Sequence, residues 1–118
     1  MQYMLLIYGD EAVWEADPDA GQKLADYGKL TGDLRAQGKL LAGEELQPIA
    51  TATTVQVRDG ETVVSDGPFA ETKEVLGGFY AIEAESLDEA IEWAAKIPDA
   101  RLGTIEIRPV VDHSGAAA

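Results

Sequence analysis

Gln2-Tyr3-Met4-Leu5-Leu6-Ile7-Tyr8 is the stretch on which the fold turns. In an extended chain successive side chains point to opposite faces, so Met4, Leu6 and Tyr8 share one face and Tyr3, Leu5 and Ile7 the other. Both faces are apolar. A strand of that kind sits centrally in a sheet and is covered on both sides. The segment does not read as a secretory leader: no basic residues precede it, no small-residue cleavage site follows, and it runs into Gly9-Asp10-Glu11. No apolar run approaches the ~20 residues of a membrane helix. The expected location is the cytoplasm.

Working outward, Asp17-Pro18 marks a helix start, with Asp as N-cap and Pro at the first helical position. Leu24, Tyr27, Leu30, Thr31 and Leu34 follow at helical spacing as one buried stripe, and Gly38 suits a left-handed C-terminal residue. The spacing predicts a helix over about 18–37. Gly21, Gly28 and Gly32 weaken it by roughly 1 kcal/mol each relative to Ala, so either packing compensates or another backbone approaches closely. Residues 39–46 read as a strand closed by Pro48. Residues 53–58 and 61–65 alternate with period two around Asp59-Gly60, a two-residue hairpin turn. Gly77-Gly78 precedes a further strand over 79–84. Ser86 and Glu89 form a capping box for a helix to about Lys96, with Leu87, Ala90, Ile91, Ala94 and Ala95 inward and Pro98 ending it. The last strand is 104–110, with Ile105 and Ile107 facing inward.

The order β-α-β-(hairpin)-β-α-β, two βαβ halves around one antiparallel sheet, is the ferredoxin-like α+β architecture, with both helices on one face. The second face then carries one side of the first strand, supplemented by Tyr80, Ile82 and Val57. An exposed apolar face implies a partner, and the economical one is a second copy packed sheet to sheet across a two-fold axis. A ligand pocket belongs between the sheets or at their rim. The domain spans 1–111, and 112–118 is a flexible tail.

Composition narrows the chemistry. At 118 residues the chain is one domain with a small core. It has no cysteine, which removes disulfides, thiolate catalysis and cysteine-ligated zinc. The net charge is −13, with the nine bases scattered singly, so no basic surface for direct nucleic-acid binding is expected. The sole histidine, His113, stands beside Asp112 in the tail, and no metal or cofactor site is expected. The glycines at 9, 77 and 78 lack phosphate-loop spacing.

Asp66-Gly67-Pro68-Phe69-Ala70-Glu71-Thr72-Lys73 is the candidate site. It sets a carboxylate, a forced bend, an aromatic and a cation within eight residues. Pro68 fixes its own φ and restricts Gly67. Asp66 is then either the acceptor of an Asx turn pinned by Phe69, with Phe69 plugged into an apolar cleft, or an acceptor and general base at a pocket mouth, with Lys73 as electrostatic partner and Glu71 and Thr72 beside it. Tyr8, at the strand end, is a candidate cleft-lining residue. Glu44, sharing a face with Leu40, Ala42 and Leu46, is either a pocket acid or a rim residue. Trp14 lies in an acidic loop as a lid or dimer contact, and Trp93 falls off the inner helical stripe.

The segments 1–8, Gly43-Glu44-Glu45-Leu46-Gln47-Pro48, Asp66 to Glu74, Gly77-Gly78-Phe79-Tyr80 and Glu106-Ile107-Arg108-Pro109 resemble the YCII-related family, in particular its subgroup named for the Asp-Gly-Pro-Phe motif. The resemblance implies a ferredoxin-like fold that dimerises as an α/β barrel. YCII-type proteins are suspected enzymes because of a paired His and Asp in a cleft. This chain departs from that pattern, since His113 is not on the first helix, and only Asp66 carries over. The subgroup resembles proteins found beside or fused to extracytoplasmic-function sigma factors. The resemblance therefore implies a homodimeric ligand-binding or accessory protein with a sigma factor or a small molecule as partner. Two other classes stand beside it: an enzyme using Asp66 and Lys73 in acid-base chemistry on a small carbonyl-bearing or aromatic substrate, and a structural dimeric module.

Overall fold

Alternation along the first strand separates its two faces. β1 (Gln2–Gly9) buries Tyr3, Leu5 and Ile7 and leaves Met4, Leu6 and Tyr8 half-buried. The computed structural model describes residues 1–114; the tail expected over 112–118 lies partly outside them. The chain continues through α1 (Glu11–Glu15), α2 (Ala20–Ala36), β2 (Leu40–Glu45), β3 (Thr53–Arg58), β4 (Glu61–Asp66), β5 (Val75–Glu83), α3 (Leu87–Ala95) and β6 (Thr104–Pro109). Short 3₁₀ turns occupy Ile49–Thr51 and Pro98–Arg101. The sheet order is β2-β5-β1-β6, every pair antiparallel. With the helices on one face this is the ferredoxin-like α+β fold. Among the described residues no helix is long and apolar enough to cross a membrane.

The core joins Tyr3, Leu5 and Ile7 to Tyr80 and Ile82 of β5 and to Leu30, Leu34, Ala90, Trp93 and Ala94 of the helices. Tyr80 and Ile82 therefore do not supplement the uncovered face. They pair with Leu5 and Tyr3 and point with them under the helices. Phe79 and Ala81, opposite Leu6 and Met4, take the other side. Val57 lies off the sheet altogether, in a separate two-stranded hairpin of β3 and β4. Ile105 and Ile107 pack against the core as expected.

The helices turn differently from the stripes read in the sequence. Leu24 is 72% exposed. The inward line of α2 is Lys23, Tyr27, Leu30 and Leu34, whose 4-3-4 spacing follows the helical repeat more closely. Among the described residues nothing stands within 4 Å of a Cβ added at Gly21, Gly28 or Gly32, so no other backbone approaches them, and α2 is held instead by Tyr27, Leu30 and Leu34 on its inward line. In α3, Leu87 and Ile91 are about half exposed and Ala95 is exposed, while Trp93 is buried and donates from Nε1 to Glu89 Oε2 at 3.0 Å.

Caps and turns mostly follow local chemistry. Asp10 accepts the Ala12 N–H and caps α1, an element the sequence did not announce. Asp17 accepts from Asp19 N rather than capping a helix, so α2 begins at Ala20. Ser86 accepts the Glu89 N–H, but the Glu89 carboxylate reaches Glu85 N instead of closing the box on Ser86. That bond, with donation from Lys39 and Trp93, holds the Glu89 carboxyl down to about 2. Asp59 and Gly60 have φ of 52° and 78°, the left-handed pair of a type I′ hairpin turn. Gly77 and Gly78 do not separate strands; they lie within β5, beside an irregularity in its pairing with β1.

Candidate functional site

Three places bear on function: the bend after β4, the uncovered sheet face, and a buried carboxylate that the sequence reading missed.

The bend is closed by backbone. Gly67 has φ of 100°, a conformation that only glycine adopts without strain. Its N–H donates to Ala52 O at 2.8 Å, and its carbonyl accepts from Thr54 Oγ1 at 2.7 Å. Thr72 Oγ1 donates to Glu74 O further along. Asp66 is exposed and its carboxylate makes no hydrogen bond or ion pair among the described residues, so it forms no Asx turn. Phe69 is 84% exposed, not plugged into a cleft. Lys73 and Glu71 are also exposed, and no ion pair joins Lys73 to Asp66. Residues 66–73 line neither the depression between α2 and the Pro98–Arg101 turn nor the one between Lys39 and α3.

The uncovered sheet face gathers Met4, Leu6, Tyr8, Phe79 and Ala81. β6 adds Thr104, Glu106 and Arg108 opposite Tyr8, Leu6 and Met4. β2 adds Glu44 opposite Phe79. A register shift between Leu40 and Ala42 sends Leu40 to the helix side, so Glu44 shares its face with Ala42 but not with Leu40. Tyr8 does line this surface, and burial followed by the Glu106 charge pushes its phenol up. Glu44 is exposed at its rim.

The missed residue is Asp99, which is only 5% exposed. Trp14 Nε1 and Lys23 Nζ donate to its Oδ1 at 2.9 and 3.0 Å, and Tyr27 OH donates to Oδ2. Lys23 also lies 3.6 Å from Asp17. Tyr27 stacks on Tyr80, whose hydroxyl bonds Thr31 at 2.7 Å. Burial first, then Asp99, pushes the Tyr27 phenol up. The Trp14 indole reaches Asp99 by lying flat on Gly77 and Gly9: a Cβ on Gly77 would stand 2.5 Å from the ring, and one on Gly9 2.3 Å. Trp14 is therefore tied to Asp99 and is not a free lid, while its side chain stays half-buried. The sequence signal was a lysine on the inward line of a helix, which requires a buried acid opposite. Among the described residues no cluster of His, Asp and Glu could hold a metal.

The YCII-related domain profile matches residues 1–114 of this chain. The chain belongs to the YCII-related family. An uncharacterized protein of Rhizobium meliloti (strain 1021) is 40% identical over 115 residues, which cover 93% of this chain and 92% of that protein. A solved structure, 5-chloro-2-hydroxyhydroquinone dehydrochlorinase (TftG) from Burkholderia phenoliruptrix AC1100 in complex with 2,5-dihydroxybenzoquinone, aligns over 94% of each chain with a TM-score of 0.49 and 16% identity. In this YCII-related chain His113 is exposed and far along the sequence from α2, and Asp99 is fully engaged by three donors. Asp99 therefore offers no free base, and no hydrogen bond or ion pair joins His113 to it among the described residues. In this YCII-related domain the bend and the uncovered sheet face each present a polar group with no hydrogen-bond or ion-pair partner among the described residues, Asp66 on the bend and Glu44 at the rim of the sheet.

Proposed function

We propose that this YCII-related protein works by binding, as a cytoplasmic homodimer with an accessory or regulatory role. Its uncovered sheet faces turn toward each other, and each bend over 66–73 stands at the rim as the contact for a partner. The partner that fits the sequence resemblance is an extracytoplasmic-function sigma factor. One observation carries this reading: the bend is held at the Gly67 backbone, by Ala52 O and the Thr54 hydroxyl, while among the described residues the Asp66 carboxylate makes no hydrogen bond or ion pair and the Phe69 ring stays exposed. Exposed aromatic and charged groups on a rigid turn suit recognition.

The test is recovery of an extracytoplasmic-function sigma factor on immobilised wild type, Asp66→Asn and Phe69→Ala. Both variants should keep the wild-type circular dichroism and lose at least about tenfold in affinity, as recognition residues do. Equal recovery by all three would overturn the reading.

A second reading is favoured by the grouping of Tyr8, Glu106, Arg108 and Glu44 on one apolar face. That surface suits a small carbonyl-bearing or aromatic molecule, with Asp66 as base and Lys73 as its electrostatic partner once two copies meet. Tyr8→Phe would then lower turnover of such a substrate while leaving sigma-factor recovery unchanged.

A further inference from the structure

We propose that the β3–β4 hairpin is an intersubunit arm, whose valine face lies on the uncovered sheet face of a second copy and brings Asp66 to the edge of the partner's sheet. The inference rests on the homodimer reading above and deepens it, because each rim site would then be built from both copies.

The register places Val55 opposite Val64, Val57 opposite Thr62 and Thr53 opposite Asp66. Directly opposed residues share a face, so Val55, Val57, Val64 and Asp66 stand together. The three valines are 60–61% exposed. The reverse face carries Thr54, Gln56, Arg58, Glu61 and Ser65, with Val63 as its one aliphatic residue. The apolar side is therefore specific, yet among the described residues it is left mostly exposed. β3 and β4 pair only with each other, and no other strand or helix packs substantially on them. A lone two-stranded hairpin is marginal in water and needs a surface to lie on.

The dimensions agree. Four strands about 4.8 Å apart and at most nine residues long fill roughly 15 by 30 Å. The chain extends 47 × 46 × 19 Å, with a radius of gyration of 16.5 Å, against about 13–14 Å for a compact domain of this length. The hairpin projects sideways from the sheet rather than folding onto it. Its base is anchored: Ile49 N donates to Glu11 Oε2 at 2.9 Å, and Gly67 N to Ala52 O.

A second copy is the fitting occupant. The chain bears two uncovered apolar surfaces, the valine face and the Met4, Leu6, Phe79 and Ala81 face, and a two-fold pair covers both with neither left over. The valine face ends in Asp66, and the uncovered sheet face offers one base to meet it, Arg108, which stands beside the acids Glu106 and Glu44.

The experiment puts a photoreactive p-benzoylphenylalanine in place of Val57, mixes this protein with an isotope-labelled wild-type copy, and maps the adducts by mass spectrometry. Sedimentation of Val55→Asp with Val64→Asp runs in parallel, with Gln56→Glu on the reverse face as control. We expect adducts on residues 4–8, 79–81 or 104–108 of the labelled copy. We also expect dimer dissociation strengthened at least about 100-fold by the valine pair, and a control that stays dimeric. A dimer whose adducts fall on the other hairpin, or within one copy, would overturn the arm and leave the homodimer standing. A valine double variant that remains dimeric would do the same. A wild-type monomer at all concentrations would overturn arm and homodimer together. Sigma-factor recovery is scored separately, so its failure is not confused with either.

Discussion

Asp99 takes three donors onto one buried carboxylate, and each comes from a different part of the chain's first third. Trp14 belongs to α1, Lys23 and Tyr27 to successive turns of α2. The acid thereby ties the N-terminal loop and helix to the 3₁₀ turn just before the last strand. Its neutral replacement would keep the shape but leave the Lys23 ammonium, whose side chain is 18% exposed, with only the more distant Asp17 carboxylate at 3.6 Å as counter-charge. Asp99→Asn should therefore lower unfolding free energy by about 3 kcal/mol, the usual cost of breaking one side of a mostly buried ion pair. Urea denaturation followed by tryptophan fluorescence measures it. A loss under about 1 kcal/mol would mean that the network is slack. Asp66 is the contrasting residue. It was visible in the sequence because Gly67-Pro68 forced the chain to bend beside it. What its carboxylate meets was not visible, because among the described residues it makes no hydrogen bond or ion pair.

At the level of elements, legibility followed how strongly the local sequence constrains the backbone. β1 announced itself by apolar alternation on both sides, and β3–β4 by Asp59-Gly60. The helices were placed but rotated. Leu24 was chosen for the α2 stripe over Lys23 because hydropathy alone ranks leucine inward, whereas the inward lysine is settled by Asp99, some 76 residues away. In α3 the same preference put Leu87 and Ile91 inside and Trp93 outside. The contact of Trp93 with Glu89 reversed it, by satisfying the indole N–H next to the core. On β5, Gly77-Gly78 looked like a break but is strand, kept glycine at 77 by the Trp14 ring above it. The outer face of α2 gives a prediction of its own. Gly28 and Gly32 face open space with helical backbone, so Gly28→Ala and Gly32→Ala should each stabilise by about 0.5–1 kcal/mol. Together they should raise the melting temperature by several degrees, about 4–8 °C per kcal/mol for a domain of this size. Thermal denaturation by circular dichroism checks this. A drop would show that another backbone needs that groove.

For the whole molecule, charge and shape pull against each other. Each copy carries −13, so association doubles a charge that already repels itself, while the valine face and the uncovered sheet supply apolar area to hold two copies together. The apolar term depends little on modest salt, but the repulsion is screened within a Debye length that shrinks from about 30 Å at 0.01 M to about 8 Å at 0.15 M. The two copies would lie within that range. Raising sodium chloride from about 0.01 to about 0.3 M should therefore tighten the dimer several-fold, with sedimentation equilibrium giving the dissociation constant at each concentration. The sign decides the nature of the interface. A dimer that weakens with salt would be held by ion pairs across the axis, such as Asp66 with Arg108, more than by burial of Val55, Val57 and Val64. A dimer that tightens would place burial first and leave that pair to set the register of the arm on the partner's sheet.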